Sequence, residues 1–203
     1  MRNFLKGIAF FVGGIFLLTL LLTPARADEV KESIRAAEKF YEKGNYSEAI
    51  KELEFAAQLI RQKKGERLKG VFPDPLPGWK AEKPEMQSAG TAYLGGGISG
   101  KRVYRKGSSR VTIEIAMDNP LLQSFLGIMD NPMLIGPDQK LVRVNGQRAL
   151  LRFDPSSREG ELSIAFARKV LVTVRGSGIS DEEVLTSYAA KIDYDLLEKV
   201  VSE

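Results

Sequence analysis

The chain has 203 residues, 43% of them hydrophobic and 28% charged, with a formal net charge of +4 and neither cysteine nor histidine. A chain this long can bury a core unaided, and without cysteine it has no disulfide framework, no thiolate nucleophile and no site for a lipidated cysteine. Without histidine, Ser-His-Asp and Cys-His catalysis and the usual zinc sites are excluded.

Residues 1–27 place Arg2 and Lys6 before an apolar run from Ile8 to Leu22, then Pro24 and Ala25-Arg26-Ala27. A basic start, an apolar centre and an A-x-A site are the parts of a secretory signal peptide. The apolar run is shorter than the roughly 20 residues that a spanning helix needs. Export to the periplasm with cleavage after Ala27 is therefore expected. The alternative is an uncleaved anchor, and membrane contact is expected only through that segment. Loss of Arg2, Lys6 and Arg26 lowers the formal charge from +4 to +1, which leaves no reason to expect a nucleic-acid partner.

Residues 28–68 predict a helical hairpin. Good helix formers carry apolar positions Ile34, Ala37, Phe40 and Tyr41, then Ala49, Ile50, Leu53, Ala56, Ala57 and Ile60 at helical spacing. Between the two runs, Gly44 suits the left-handed residue that ends a helix. Asn45 with Glu48 reads as a capping box for the next helix. The spacing of Ala37, Phe40, Gly44, Tyr46, Ala49, Leu53 and Ala56 resembles a tetratricopeptide repeat over residues 30–63. The resemblance implies two antiparallel helices that approach closely through small residues. A single such unit cannot bury its own core, so it must pack on the following domain or on another chain; partner-peptide binding is the other use of such a unit.

Residues 69–85 form a proline-rich linker and entry, with Pro73, Pro75, Pro77 and Pro84 disfavouring helix. Trp79, the only tryptophan, reads as a buried anchor or as a ligand-stacking residue.

Residues 86–203 read as an antiparallel sheet domain flanked by helices. Val111, Ile113, Ile115 and Met117 alternate with smaller or polar residues, a half-buried strand. A helix should follow Pro120, capped by Asp118 or Asn119, and end at Asp130. Asn145-Gly146 between alternating runs predicts a tight hairpin. In the second hairpin the inward residues are Leu162, Ile164, Phe166, Val170, Val172 and Val174. A C-terminal helix should begin with Ser180 and Glu183 as a capping box and carry Val184, Tyr188 and Ile192 on one stripe. The fold class is α+β, an N-terminal helical hairpin plus an antiparallel sheet flanked by helices. The element order is similar to the PsbP-like fold, whose members are mostly non-catalytic accessory and binding proteins.

Three stretches are candidates for chemistry. Gly95, Gly100 and Lys101 nearly match a phosphate-binding loop, but Arg102 stands where its hydroxyl belongs and strand pattern follows instead of a helix. No nucleotide is expected; the glycines read as a bulge or a mobile loop, and Lys101 and Arg102 as a charged strand edge or a contact for an anion. The helix between the two Asp-Asn-Pro triplets is apolar on nearly every side, which makes Leu122, Phe125, Met129 and Met133 core residues or a contact surface for a partner or a lipid-like ligand. The triplets lack the ligand count of a calcium loop. Ser99 with Lys101, and the run Asp181 to Glu183, are the visible catalytic groupings, and the acidic run is explained by the dipole of a helix start. The expectation is therefore a non-catalytic cell-envelope protein with no cofactor and no metal, acting through a protein partner or self-association. A carrier or sensor of an apolar or lipid-like ligand is the alternative, and a hydrolase with an unfamiliar site is the third reading.

Overall fold

The computed structural model describes residues 28–88, 97–117 and 120–202. The expected signal peptide, the first part of the glycine-rich loop and the expected caps Asp118 and Asn119 lie outside the described residues. The chain is α+β: two N-terminal helices, then an eight-stranded antiparallel sheet with helices against it. No helix among the described residues is long and apolar enough to cross a membrane.

Helix α1 (Glu29–Glu42) and helix α2 (Tyr46–Leu68) form the hairpin. Gly44 takes φ +72°, the left-handed value that ends α1. Asn45 occupies the N-cap position of α2, but its side chain makes no capping hydrogen bond. Glu48 turns instead to Lys51 at 2.7 Å, so the expected capping box is not formed. Where the two helices pack together, the buried residues are mostly small: Ser33 and Ala37 of α1 with Val30, and Ala49 and Ala56 of α2.

The sheet order is β1-β3-β4-β8-β7-β6-β5. Strands β3 (Ile98–Lys106) and β4 (Ser109–Met117) are the first full hairpin. β5 (Gln139–Val144) with β6 (Gln147–Asp154), and β7 (Glu159–Phe166) with β8 (Val170–Ser177), are the next two. Two short strands that the sequence pattern did not announce, β1 (Lys80–Ala81) and β2 (Glu85–Ser88), share the outer edge of β3. Asn145 (φ 48°) and Gly146 (φ 78°) make the expected tight turn. Ala167 and Arg168 also adopt positive φ, between β7 and β8, without any glycine to signal it.

One face of the sheet carries the main core. Val111, Ile113 and Ile115 of β4, Leu162 and Ile164 of β7, and Val170, Val172 and Val174 of β8 are fully buried there. Helices α4 (Glu183–Ala190) and α5 (Tyr194–Ser202) supply Leu185, Tyr188, Leu197 and Val200 to the same core. The single expected C-terminal helix is thus two. Asp193 makes the break possible: its carboxylate accepts the Leu196 N–H at 2.8 Å and so caps α5. The expected Ser180 cap is replaced likewise, since Asp181 accepts the Glu183 N–H at 2.7 Å. Gly160 and Gly176, paired across β7 and β8, form a shallow floor on which Leu185 and Ile179 rest.

The proline-rich stretch is built into this core. Leu68, Val71 and Phe72 are buried members of the cluster, and Leu76 and Trp79 pack against it. The prolines keep the backbone extended, so the segment crosses the core as a strap.

Helix α3 (Leu121–Asp130) lies on the opposite face, against β7 and β8. Its buried residues Leu122, Leu126 and Met129 do not join the main core.

Candidate functional site

The seven residues singled out from sequence fall in three separate places. Trp79 and Arg102 belong to the strap. Trp79 is half-buried and stands edge-on to Tyr188, ring centroids 5.6 Å apart. Arg102 pairs across β3–β4 with Ile113, so it points to the core face. There its guanidinium donates to the carbonyls of Pro73 (3.0 Å), Phe72 (3.4 Å) and Glu82 (3.0 Å), and it lies 5.5 Å from the Tyr104 ring. Tyr104 donates to the same Pro73 carbonyl at 2.8 Å. Burial pushes the Tyr104 hydroxyl well above the ordinary phenol range and that of Tyr188 up to about 12. Arg102 is therefore consumed in fastening the strap.

Lys101, one residue earlier, points to the other face and pairs with Glu85 at 3.1 Å. Gly100 is buried beneath the strap, where an added Cβ would come within 2.7 Å of Met86 Cε and 3.0 Å of Phe72 Cε2. The described end of the glycine stretch is thus a close approach inside β3, with no helix N-terminus beyond it. Lys101 adjoins a charged ladder: Arg175 bridges Glu114 (3.0 Å) and Glu161 (2.8 Å) across β4, β8 and β7. Both cations are thus held in ion pairs with neighbouring carboxylates.

The α3 region divides in the same way. Leu122 and Met129 are buried against the sheet and Phe125 is half-buried, whereas Met133 is 93% exposed. The cleft of about 320 Å³ beside α3 is lined by Leu126, Met129 and Ala165, but also by Asp130, Arg148 and Arg168. Both arginines pair with Asp130, at 3.8 and 3.3 Å. Such a lining suits polar groups better than an acyl chain.

Among the described residues a further set of exposed apolar side chains lies on the helical hairpin, with Phe55, 49% exposed, on the other side of α2 from the rest. Ile34, Tyr41, Tyr46, Ile50, Leu53 and Ile60 are between 47% and 66% exposed. Along α2 the members stand at 46, 50, 53 and 60, with Ala57 completing an alternating spacing of four and three. That stripe lies beside the small-residue seam of Ala49 and Ala56, displaced one way round the helix. Ile34 and Tyr41 are displaced the same way from the seam of α1. In antiparallel helices, equal displacements emerge on the same side of the pair, and the Tyr41 and Tyr46 rings accordingly meet at 5.6 Å. The C-terminal part of α2 packs on the sheet domain, where Gly65 approaches Ile98 and Leu68 is buried. The sequence reading expected a single hairpin to leave apolar surface for the following domain or another chain, but it did not say which of its apolar positions would stay exposed.

Comparison with known proteins gives no matching family model, no matching curated protein and no matching solved structure. The functional reading therefore rests on the residues themselves.

Proposed function

We propose that this is an exported, non-catalytic cell-envelope protein that acts by protein–protein contact through the apolar side of the α1–α2 hairpin. The observation that carries the reading is the set Ile34, Tyr41, Tyr46, Ile50, Leu53 and Ile60, all about half-exposed on one side of the hairpin. Soluble monomers rarely leave so much contiguous apolar surface in water. The tetratricopeptide reading of the hairpin is supported by its seam of Ala37, Ala49 and Ala56 and by Gly44 at the turn. The PsbP-like reading draws on the antiparallel sheet with helices against it. Export draws on the signal-like residues 1–27. An apolar carrier draws on exposed Met133 and Leu134, but the ion-lined cleft beside α3 favours the protein-contact reading.

The test is a photo-reactive side chain placed at Leu53 in the full chain within the producing cell. Covalent adducts heavier than the chain are expected there, and none from Lys51, which stands roughly 200° round the same helix. Absence of adducts at Leu53 refutes the reading.

A further inference from the structure

We infer that the outer edge of β5 is a second contact site, which takes an extended acidic segment of another protein as a further strand of the sheet. This contact is separate from the hairpin face and does not depend on the reading above.

The turn after β5 fixes which way its backbone points. Asn145 and Gly146 form a two-residue turn with both φ positive, which makes Val144 and Gln147 a hydrogen-bonded pair. Alternation along the antiparallel ladder then directs the backbone groups of Val144, Val142 and Lys140 to β6, and those of Arg143 and Leu141 outward. β5 ends the strand order, so no strand meets them. Among the described residues no other hydrogen bond reaches the Leu141 or Arg143 backbone, while the Gln139 N–H already donates to the Gly136 carbonyl. The opposite side of the sheet is closed: β1 and β2 cover the edge of β3, and α2 packs against β2. Two N–H and two C=O groups on alternate residues are what an added strand binds.

The side chains determine what that strand should carry. Val144 belongs to the core, so Leu141 and Arg143 lie on the other face, and both are exposed there. Arg143 stands opposite Arg148 in a pair without hydrogen bonds, the kind in which side chains are closest and like charges repel. Asp130 pairs with both Arg148 and Arg168, at 3.8 and 3.3 Å, and Arg143 has no ion-pair partner among the described residues. Between them the three arginines hold one carboxylate. An incoming strand with a carboxylate beside Arg143 and an apolar side chain beside Leu141 suits both. A second copy of β5 does not. The register that uses all four backbone groups sets Leu141 against Arg143 and leaves the two copies of Arg143 diagonal, about 7–8 Å apart. It gathers further arginines and brings no carboxylate. The same charges turn away strands that lack acid, a common guard of an open edge.

Amide exchange followed by NMR on the full chain tests this. In the chain alone, Leu141 and Arg143 should exchange freely, and Val142 and Val144 slowly. The probe is the capped peptide Thr-Glu-Thr-Val-Thr-Glu-Thr, with a twin in which lysine replaces glutamate. Binding slows exchange in proportion to 1 + [L]/Kd, so a Kd of about 5 mM gives twofold slowing at about 5 mM peptide. Slowing of twofold or more is expected at Leu141 and Arg143 with the acidic probe and not with its twin. Arg143→Glu should reverse that preference. Leu141→Pro removes one outward N–H without touching the β6 ladder. It should abolish the slowing at Arg143 while Val142 and Val144 stay protected, which shows that the fold is intact. Slowing of less than twofold, equal slowing by both peptides, or edge amides already protected in the dilute chain overturns the inference. Protection that rises with the concentration of the chain, without peptide, also overturns it and assigns the edge to a second copy.

Discussion

Gly176→Ala is expected to destabilise the sheet domain by about 1–2 kcal/mol, although alanine ordinarily suits a strand better than glycine. The gain from lower backbone entropy is about 0.5–1 kcal/mol. Against it, the new Cβ would lie 2.6 Å from Ile179 Cδ1 and 2.9 Å from Leu185 Cδ2. Both side chains are enclosed, Ile179 at 1% and Leu185 at 0% exposure, so neither can swing away. Overpacking of this kind costs about 1–3 kcal/mol. Urea unfolding followed by the fluorescence of Trp79, the only tryptophan, would read the change. With a slope of about 1–3 kcal/mol per molar urea, the midpoint should fall by roughly 0.5–1 M. Ile179→Val removes the nearest clashing carbon and by itself costs about 0.5–1.5 kcal/mol. The double variant should therefore be more stable than the sum of the two changes implies, by about 0.5 kcal/mol or more. A neutral or stabilising Gly176→Ala, or two strictly additive effects, would refute the account of the glycine floor.

Arg102→Met keeps the aliphatic stem but removes three charge-assisted bonds to the strap, and should cost about 1–3 kcal/mol after allowance for partial exposure. It should also speed proteolysis within residues 72–82, and unchanged cleavage there would show that the strap does not depend on Arg102. The buried tyrosines predict an alkaline limit. Tyr188 is pushed from the ordinary phenol value to about 12 by burial, and Tyr104 and Tyr194 are shifted in the same direction. Because the folded state holds the proton more tightly, this stability is fully present below pH ~10 and is lost as pH rises toward about 12. Phenolate absorbance and circular dichroism should change together in that window, and six tyrosines titrating near pH 10 in an intact fold would contradict the burial.

Local chemistry made much of this protein legible from its sequence. Alternation along 111–117 and 162–174 placed the inward residues correctly, because the pleat of a strand leaves no other way to bury Val and Ile on one side. Gly44 and Asn145-Gly146 marked turns because both require positive φ, which few residues tolerate. Other features were decided by contacts between residues far apart in sequence. Nothing beside Pro73 announces that its carbonyl will meet Arg102 and Tyr104, about thirty residues later, and turn a proline-rich stretch into a strap over the core. The strands β1 and β2 are too short to show a period and exist because β3 offers them an edge. Lys101 and Arg102 look alike as a basic pair, yet the pleat sends one to the charged ladder and the other into the strap. The same holds for the hairpin. Its apolar spacing was visible in the sequence, but only the packed helices reveal that Val30 and the small residues Ser33, Ala37, Ala49 and Ala56 are the ones enclosed. That leaves Tyr46, Ile50, Leu53 and Ile60 facing water, because a seam of small residues brings the two backbones too close to enclose larger ones.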